Sequence, residues 1–317
     1  MKAIKSMNLL KKIGLFLSTF YILPFVSFAN AETKVVTSIK PLHSLVSYVM
    51  EGVGTPDIII DGSSSPHTFQ LKPSHASMLQ EADIIFWIGE DLEVFLETPL
   101  DSIAKNVKRV TLMDSNEIDL LKFREKNVFD DHEGHDDHDE HGDEHDGHAH
   151  GEFDIHFWLD PEIAKTIVTI VARELSEIDV ANKSTYEANA KKAINDLDTL
   201  ITETRSKINS DATYIVFHDA YQYFEKRFGI EVIGALTVNP EALPGAKQLA
   251  EIREVIEHEK VNCLFSEPQF NPSIAKTIAQ DTGVKASVLD PLGAELNPGK
   301  DLYFDLIGDM ASSLESC

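Results

Sequence analysis

The sequence predicts an α/β protein with two lobes, each built on a mostly parallel sheet and joined to the other by one long helix. Short β-branched strands alternate with amphipathic helices in both halves of the chain, a pattern typical of parallel sheets with right-handed crossovers. Apolar residues at helical spacing from 183 to 208 predict a helix about 39 Å long, more than one small lobe needs. The 317 residues suffice for two hydrophobic cores.

Residues 1–31 have the pattern of a cleaved secretory signal peptide. A start with four lysines is followed by the apolar run IGLFLSTFYILPFVSF, and Ala29-Asn30-Ala31 is typical of a cleavage site. A membrane anchor is the alternative, but the run is short for a span and contains Pro24. We therefore expect an exported, soluble mature chain.

Residues 32–180 are predicted to form the N-terminal lobe. Its expected strands are KVVTSI, PDIIID, IIFWIG and RVTLMD, with helical patterns between them. The pair Asp160-Pro161 has the residue types of a helix N-cap and first helical position, so a further helix is expected to begin there.

A tract rich in histidine and acidic residues, 130–152, interrupts this lobe. It has almost nothing apolar to bury, so we expect it to be disordered. Imidazole is a common zinc ligand, and such a composition indicates auxiliary metal binding. A solvated acidic loop with incidental metal affinity is the alternative. Its candidate metal ligands are His132, His135, His138, His141, His145, His148 and His150.

Residues 181–209 are the predicted linking helix, and 210–317 the predicted C-terminal lobe. The expected strands of this lobe are TYIVFHD, EVIGALT, VNCLFSE and KASVLD, again alternating with helices. Its two cysteines, Cys263 and Cys317, are the only ones in the chain, and an even pair in an exported protein indicates a disulfide. A pair of metal thiolates is disfavoured, because neither cysteine has a second one nearby.

The formal net charge is −25, which argues against nucleic acid or anionic lipid as partners.

Three histidines outside the tract stand out by context. His67 follows the strand PDIIID, His156 lies in DIHFWLD, and His218 ends the strand TYIVF. Ligands of open α/β folds bind at the carboxyl ends of strands, where His67, His218 and also Asp290 are expected. Asp219 is a candidate to orient a ligand imidazole. The remaining histidines are expected to pack or to lie at the surface: His43, His75 and His258.

Several segments together carry a family resemblance over essentially the whole chain. They are SIKPLHSLV, SPHTFQLKPS, the histidine tract, DIHFWLDP, VFHDAYQYFEKRFG, LFSEPQF and VLDPLG. With these, the chain resembles the periplasmic zinc-binding subunits of high-affinity zinc ABC uptake systems, in the cluster A-I class of metal solute-binding proteins.

The resemblance implies a non-catalytic periplasmic protein whose linking helix is rigid and whose metal lies in the cleft between the lobes. Its zinc ligands would be His67, His156 and His218, and its disulfide Cys263–Cys317. Zn²⁺ would be the transported ligand. The implied partners are an inner-membrane zinc permease with its cytoplasmic ATPase, with a periplasmic zinc donor as a further candidate. We expect a monomer.

The fourth zinc ligand stays open. Some zinc-binding members carry glutamate immediately before the first histidine, where this chain has Pro66. Asp290, a water molecule or a residue of the tract could take the fourth position. Asp290 matches a position where other members of the class supply a carboxylate, so Asp290 and water are the favoured candidates.

Three alternative functions remain at this point. A manganese or iron carrier of the same class is one, although members that prefer manganese tend to carry glutamate at the position of His218. A zinc hydrolase is the second, with Glu267 as the nearest general base, but the sequence lacks HExxH. The third is a zinc buffer in which the tract binds the metal tightly and the cleft is secondary.

Overall fold

A computed structural model describes residues 32–124, 126, 128, 151–208, 212–238, 240, 242 and 244–317. The predicted signal peptide and all seven histidines of the tract lie outside these residues. Within the described part of the chain, no helix combines the length and the apolar character that crossing a bilayer requires.

The first sheet has four parallel strands in the order β2-β1-β3-β4. The strands are β1 (Val35–Thr37), β2 (Asp57–Ile58), β3 (Ile84–Trp87) and β4 (Lys108–Thr111). The helices between them are α1 (Lys40–Val49), α2 (Pro73–Glu81) and α3 (Val94–Ser102). β3 is buried along its whole length, as expected for a central strand covered on both faces.

Two helices follow the first sheet. The first, α4 (Pro161–Ile178), begins as predicted, because the Asp160 side chain accepts a hydrogen bond from the Glu162 amide at 2.8 Å. The second, α5 (Lys183–Lys207), has 25 residues. At 1.5 Å per residue it is about 37 Å long. It packs along α4 and also contacts α1 and the C-terminal helix, so it touches elements from both halves of the chain.

The second sheet repeats the parallel arrangement, in the order β6-β5-β7-β8. Its strands are β5 (Thr213–His218), β6 (Glu231–Thr237), β7 (Cys263–Ser266) and β8 (Lys285–Val288). Its helices are α6 (Gln222–Phe228), α7 (Ala246–His258), α8 (Ser273–Thr282) and α9 (Leu302–Glu315). A disulfide between Cys263 and Cys317 joins β7 to the end of the chain, as the cysteine count predicts.

The two sheets share buried structure. One cluster of buried apolar side chains extends from β1 and β3 through α4 and α5 to α9. Lys40, only 3% exposed, reaches from the start of α1 to the loop after β8, where its ammonium donates to the carbonyls of Ala294 (2.9 Å) and Leu296 (2.7 Å). Trp158 donates to the Pro291 carbonyl in the same loop at 2.9 Å. The predicted architecture of two parallel-sheet lobes with one long helix is confirmed.

Candidate metal centre

Three histidines converge between the two sheets. His67 lies in a 3₁₀ turn after β2 and follows Ser65, whose hydroxyl accepts from the His67 amide at 3.3 Å. His156 immediately precedes the 3₁₀ turn that leads into α4, and His218 is the last residue of β5. Each offers one ring nitrogen to a group in which these atoms lie within 4.8 Å of one another. The sequence therefore singled out the three histidines that the fold brings together.

Buried carboxylates orient two of the imidazoles. Oδ1 of Asp154 lies 2.8 Å from Nδ1 of His156 and also accepts from the His156 amide at 2.9 Å. Oε1 of Glu267 lies 2.7 Å from Nδ1 of His218. A carboxylate accepts and an imidazole N–H donates, so the Nδ1 atoms carry protons and the Nε2 atoms are left to bind a cation.

The distance between these two Nε2 atoms fits zinc. They are 3.3 Å apart, and neither carries a hydrogen when the Nδ1 atoms donate to the carboxylates. In a tetrahedral zinc site with Zn–N of about 2.0–2.1 Å, two ligand nitrogens are separated by roughly 3.3–3.4 Å. Two nitrogen lone pairs at this separation repel each other, and a cation between them removes the repulsion.

The electrostatic surroundings favour a cation. Asp154 and Glu267 are buried, and one oxygen of each has no hydrogen-bond partner among the described residues. Burial raises the pKa of Asp154 to about 7. Burial and the neighbouring His218 lower the pKa of His156 well below its usual value. For His218, burial lowers the pKa, but Glu267 together with Asp219 and Asp154 outweighs burial, so the pKa is raised and His218 holds a proton to higher pH than His156 does.

Asp219 does not orient a histidine as expected from the sequence. It is buried next to His218 and forms a bidentate ion pair with Arg124, whose Nε donates to Oδ2 of Asp219 at 2.8 Å. The same guanidinium donates to both oxygens of Glu225, at 2.7 and 3.0 Å. The carboxylates that orient the imidazoles are Asp154 and Glu267 instead. Arg124 balances the other two buried carboxylates beside the site.

Replacement of Arg124 by methionine is expected to lower the free energy of unfolding by about 3 kcal/mol, because the buried Asp219 and the partly buried Glu225 would lose their cationic partner. The measurement is the urea midpoint of the metal-free protein. Arg253→Met, which removes a more exposed pair with Asp281, is the matched control and should cost less than about 1 kcal/mol. Equal midpoints for the two variants would contradict the assigned role of Arg124.

Segment 121–123 and the last residues of the histidine tract lie side by side near the site. The Phe123 amide donates to the Glu152 carbonyl at 3.1 Å, and the Asp154 amide donates to the Leu121 carbonyl at 2.8 Å. Phe123 and Gly151 line a small cavity together with the three histidines. Gly151 packs so closely on Asp91 that a Cβ at this position would lie 1.8 Å from the Asp91 carboxylate. The tract therefore rejoins the described structure at the wall of the metal centre, whereas Val128, shortly before the tract, pairs with Gly234 of β6.

Asp290 is not brought into the histidine group. The atoms within 4.8 Å of one another belong to His67, His156 and His218 alone among the described residues. Oδ1 of Asp290 accepts from the Leu292 amide at 3.0 Å, and Oδ2 accepts from the Ala294 amide at 2.6 Å. These bonds organise the loop after β8, so the structure gives Asp290 a loop-forming role and leaves its predicted coordination of zinc without support.

The other histidines take structural positions. Nε2 of His43 lies 3.1 Å from the Pro56 carbonyl in the buried interior, and Nδ1 of His75 accepts from the Lys72 amide at the start of α2. His258 is exposed at the end of α7. None of the three joins a metal group within the described part of the chain.

Comparison with known proteins agrees with this geometry. Residues 35–317 match the sequence profile of the family described as ZnuA, the periplasmic component A of a zinc-uptake complex. The chain belongs to this family. The ZnuA family takes part in zinc uptake and is not a known enzyme family, which confirms the predicted zinc-uptake function and rules against the hydrolase. The prediction that Zn²⁺ is the bound ion is likewise confirmed for the family.

Individual relatives extend over nearly the whole chain. The high-affinity zinc uptake system protein ZnuA of Brucella abortus is 43% identical, covering 96% of this chain and 98% of that protein. The protein of the same name from Yersinia pestis is 36% identical, with 92% of each chain covered. A crystal structure of ZnuA superposes with a TM-score of 0.74 over 90% of this chain and 99% of that one, at 23% identity, and shares the fold.

The structure also assigns roles at the site that were not predicted from the sequence. Asp154 lies two positions before His156, and a carboxylate so close to a candidate ligand is a usable sequence signal. Glu267 follows β7, which pairs directly with β5, so the parallel order brings it next to His218. For Arg124 no sequence signal exists, because its partners lie about a hundred residues away.

Proposed function

We propose that this chain captures Zn²⁺ in the periplasm with His67, His156, His218 and one water molecule, and delivers it to an inner-membrane permease driven by a cytoplasmic ATPase. The observation that carries the ligand assignment is the pair of Nε2 atoms 3.3 Å apart, each on an imidazole whose Nδ1 is bonded to a buried carboxylate. This arrangement fixes both rings in the tautomer that binds metal.

Three imidazoles favour zinc over manganese. Nitrogen ligands suit Zn²⁺, whereas Mn²⁺ is better served by carboxylate and carbonyl oxygens. In this centre the carboxylates of Asp154 and Glu267 accept hydrogen bonds from the Nδ1 atoms of His156 and His218. The Nε2 atoms of these two rings are left to bind the metal. Their negative charges act on the ion through the imidazoles, which become more basic ligands. Because the ligands are nitrogens, transport of manganese or iron is less well supported than transport of zinc and is the second candidate function.

The histidine tract is proposed to hold further Zn²⁺ weakly and to pass it to the centre. This role is supported by Gly151, near the C-terminal end of the tract, which lines the same cavity as the three histidines. Ligands on a chain without a packed core lose conformational entropy when they bind, so sites in the tract should be weaker than the centre. Regulation of uptake when zinc is abundant is the alternative role.

Further details of the proposal concern the mature protein. We propose that residues 1–31 are a signal peptide removed after Ala31, that the mature chain acts as a monomer, and that a periplasmic protein can donate zinc to it. The lysine-rich start, the apolar run that follows it and Ala29-Asn30-Ala31 support the exported form.

Zinc titration of residues 32–317 against a strong competing chelator tests the function, with deletion of 130–151 as the comparison. We expect one tight site to survive the deletion, while only weaker sites disappear. Competition with Mn²⁺ in the same assay should leave zinc bound. Loss of the tight site with the tract would mean that the tract is the main zinc site, and preference for Mn²⁺ would favour the second candidate.

A further inference from the structure

The side chain of Gln269 reaches the metal centre in a fixed orientation. Its Nε2 donates to Oδ1 of Asp290 at 2.8 Å. Asp290 also accepts from the amides of Leu292 and Ala294, so both of its oxygens are held by donors. A carboxylate can only accept, which requires the NH₂ group of Gln269 to face Asp290 and the carbonyl oxygen Oε1 to point away from it.

The carbonyl oxygen of Gln269 is an unsatisfied hydrogen-bond acceptor among the described residues. Oε1 is shielded from solvent and has no hydrogen-bond partner among the described residues. Buried polar atoms nearly always have a partner, so an exception beside a binding site indicates a group that arrives with the ligand.

Gln269 shares a cavity with the three histidines. The cavity is lined by His67, His156 and His218, and also by Gln269. The centre of a water molecule can occupy about 10 Å³ of this cavity. Space of roughly this size holds about one water. The cavity that Gln269 shares with the imidazoles therefore has room for about one water molecule.

We propose that Oε1 of Gln269 accepts a hydrogen bond from the water molecule that completes the coordination of Zn²⁺, and that Asp290 positions Gln269 for this bond. The inference rests on the proposed function, because it takes the three histidines as the protein ligands. Water bound to zinc is polarised and donates strongly, so a neutral carbonyl acceptor is a suitable partner. Asp290 then contributes to the fourth position through Gln269 and not as a ligand.

This arrangement also explains how the site can bind zinc with proline, and not glutamate, at position 66. A chain with glutamate immediately before the first histidine would have its own carboxylate for the fourth position, but Pro66 has no oxygen on its side chain. The bond from Gln269 to a water replaces that missing oxygen. The site keeps two buried carboxylates on the outer nitrogens of the histidines and a neutral acceptor at the metal-bound water.

The first test replaces Gln269 by leucine, which keeps a similar volume and removes the carbonyl oxygen. We expect zinc affinity, measured by chelator competition, to fall by about 10- to 100-fold, as is typical when a group bonded to a metal ligand is removed. The visible absorption of the Co²⁺-loaded protein should shift, because it reports the fourth ligand directly. Gln280→Leu, at an exposed position of α8, is the matched control and should change neither readout.

A double-mutant cycle tests the role of Asp290. Asp290→Asn should weaken zinc binding in the wild-type background, and should do so much less once Gln269 is leucine, because both changes then act on the same bond. Equal losses in the two backgrounds would show that Asp290 acts on the metal independently of Gln269, and would overturn its positioning role.

The outcomes separate this inference from the proposed function. If Gln269→Leu binds zinc as tightly as the wild type with an unchanged Co²⁺ spectrum, the bond to Gln269 is wrong while the histidine site stands. If the wild type itself has no tight site, the proposed function fails. Thermal unfolding of the metal-free variants checks that each is folded, and Gln269→Met, which keeps the side-chain length, provides a second variant with the same expected result.

Discussion

Zinc affinity should fall by at least about 100-fold when His218 is replaced by alanine. Complete four-ligand zinc sites have apparent binding free energies of about 10–16 kcal/mol, so one protein ligand accounts for roughly 3 kcal/mol. Each 1.4 kcal/mol is about a tenfold change in affinity. His218 is also the imidazole whose bond to Glu267 fixes the tautomer, so its loss removes both the ligand and its orientation.

The measurement is chelator competition with folded, metal-free protein. His67→Ala is the second variant, because His67 is only half-buried and its removal disturbs the interior less than removal of the buried His218. His258→Ala, at an exposed position of α7, is the matched control and should retain wild-type affinity. Wild-type affinity in both His218→Ala and His67→Ala would exclude these residues as ligands.

Removal of the disulfide should lower the free energy of unfolding by about 4 kcal/mol, from the chain entropy released when the loop between Cys263 and Cys317 opens. The two residues are 54 positions apart, and the bond ties the end of α9 to β7. Cys263 is fully buried, so alanine is the suitable replacement at both positions. The readout is the urea midpoint of the Cys263→Ala/Cys317→Ala variant.

Reduction of the wild type provides the control for this prediction. Wild-type protein treated with a strong reductant should unfold at nearly the same urea concentration as the double variant, whereas the double variant should not respond to the reductant. A midpoint of the double variant equal to that of oxidised wild type would show that the bond adds nothing to stability, and that the packing of α9 alone holds the end of the chain.

The fold and the three histidines could be predicted from the sequence because both depend on local patterns. Short β-branched strands alternating with amphipathic helices predicted the two parallel sheets, and parallel strands carry their functional groups at the carboxyl ends. His218 at the end of β5 follows from that rule directly. His67 follows from the same rule, since it lies in the loop after β2.

The surroundings of the histidines depend on loop conformation and could not be predicted in this way. Asp290 sits at the end of a strand, as expected, but its oxygens turn to the amides of its own loop. Asp219 directly follows His218, yet its side chain faces Arg124. In both cases the position along the chain was predicted correctly. The direction of the side chain was decided by amides of its own loop for Asp290 and by Arg124, 95 residues away, for Asp219.

The contact of Lys40 with the loop after β8 should restrict which segments of related proteins can be exchanged. The Lys40 ammonium, at the start of the first helix, is satisfied by carbonyls some 250 residues later in the chain. A crossover between relatives that separates position 40 from segment 290–296 would pair a buried charge with a loop shaped for another side chain. Natural or engineered hybrids of this family should therefore keep those two segments from the same parent, even when everything between them is exchanged.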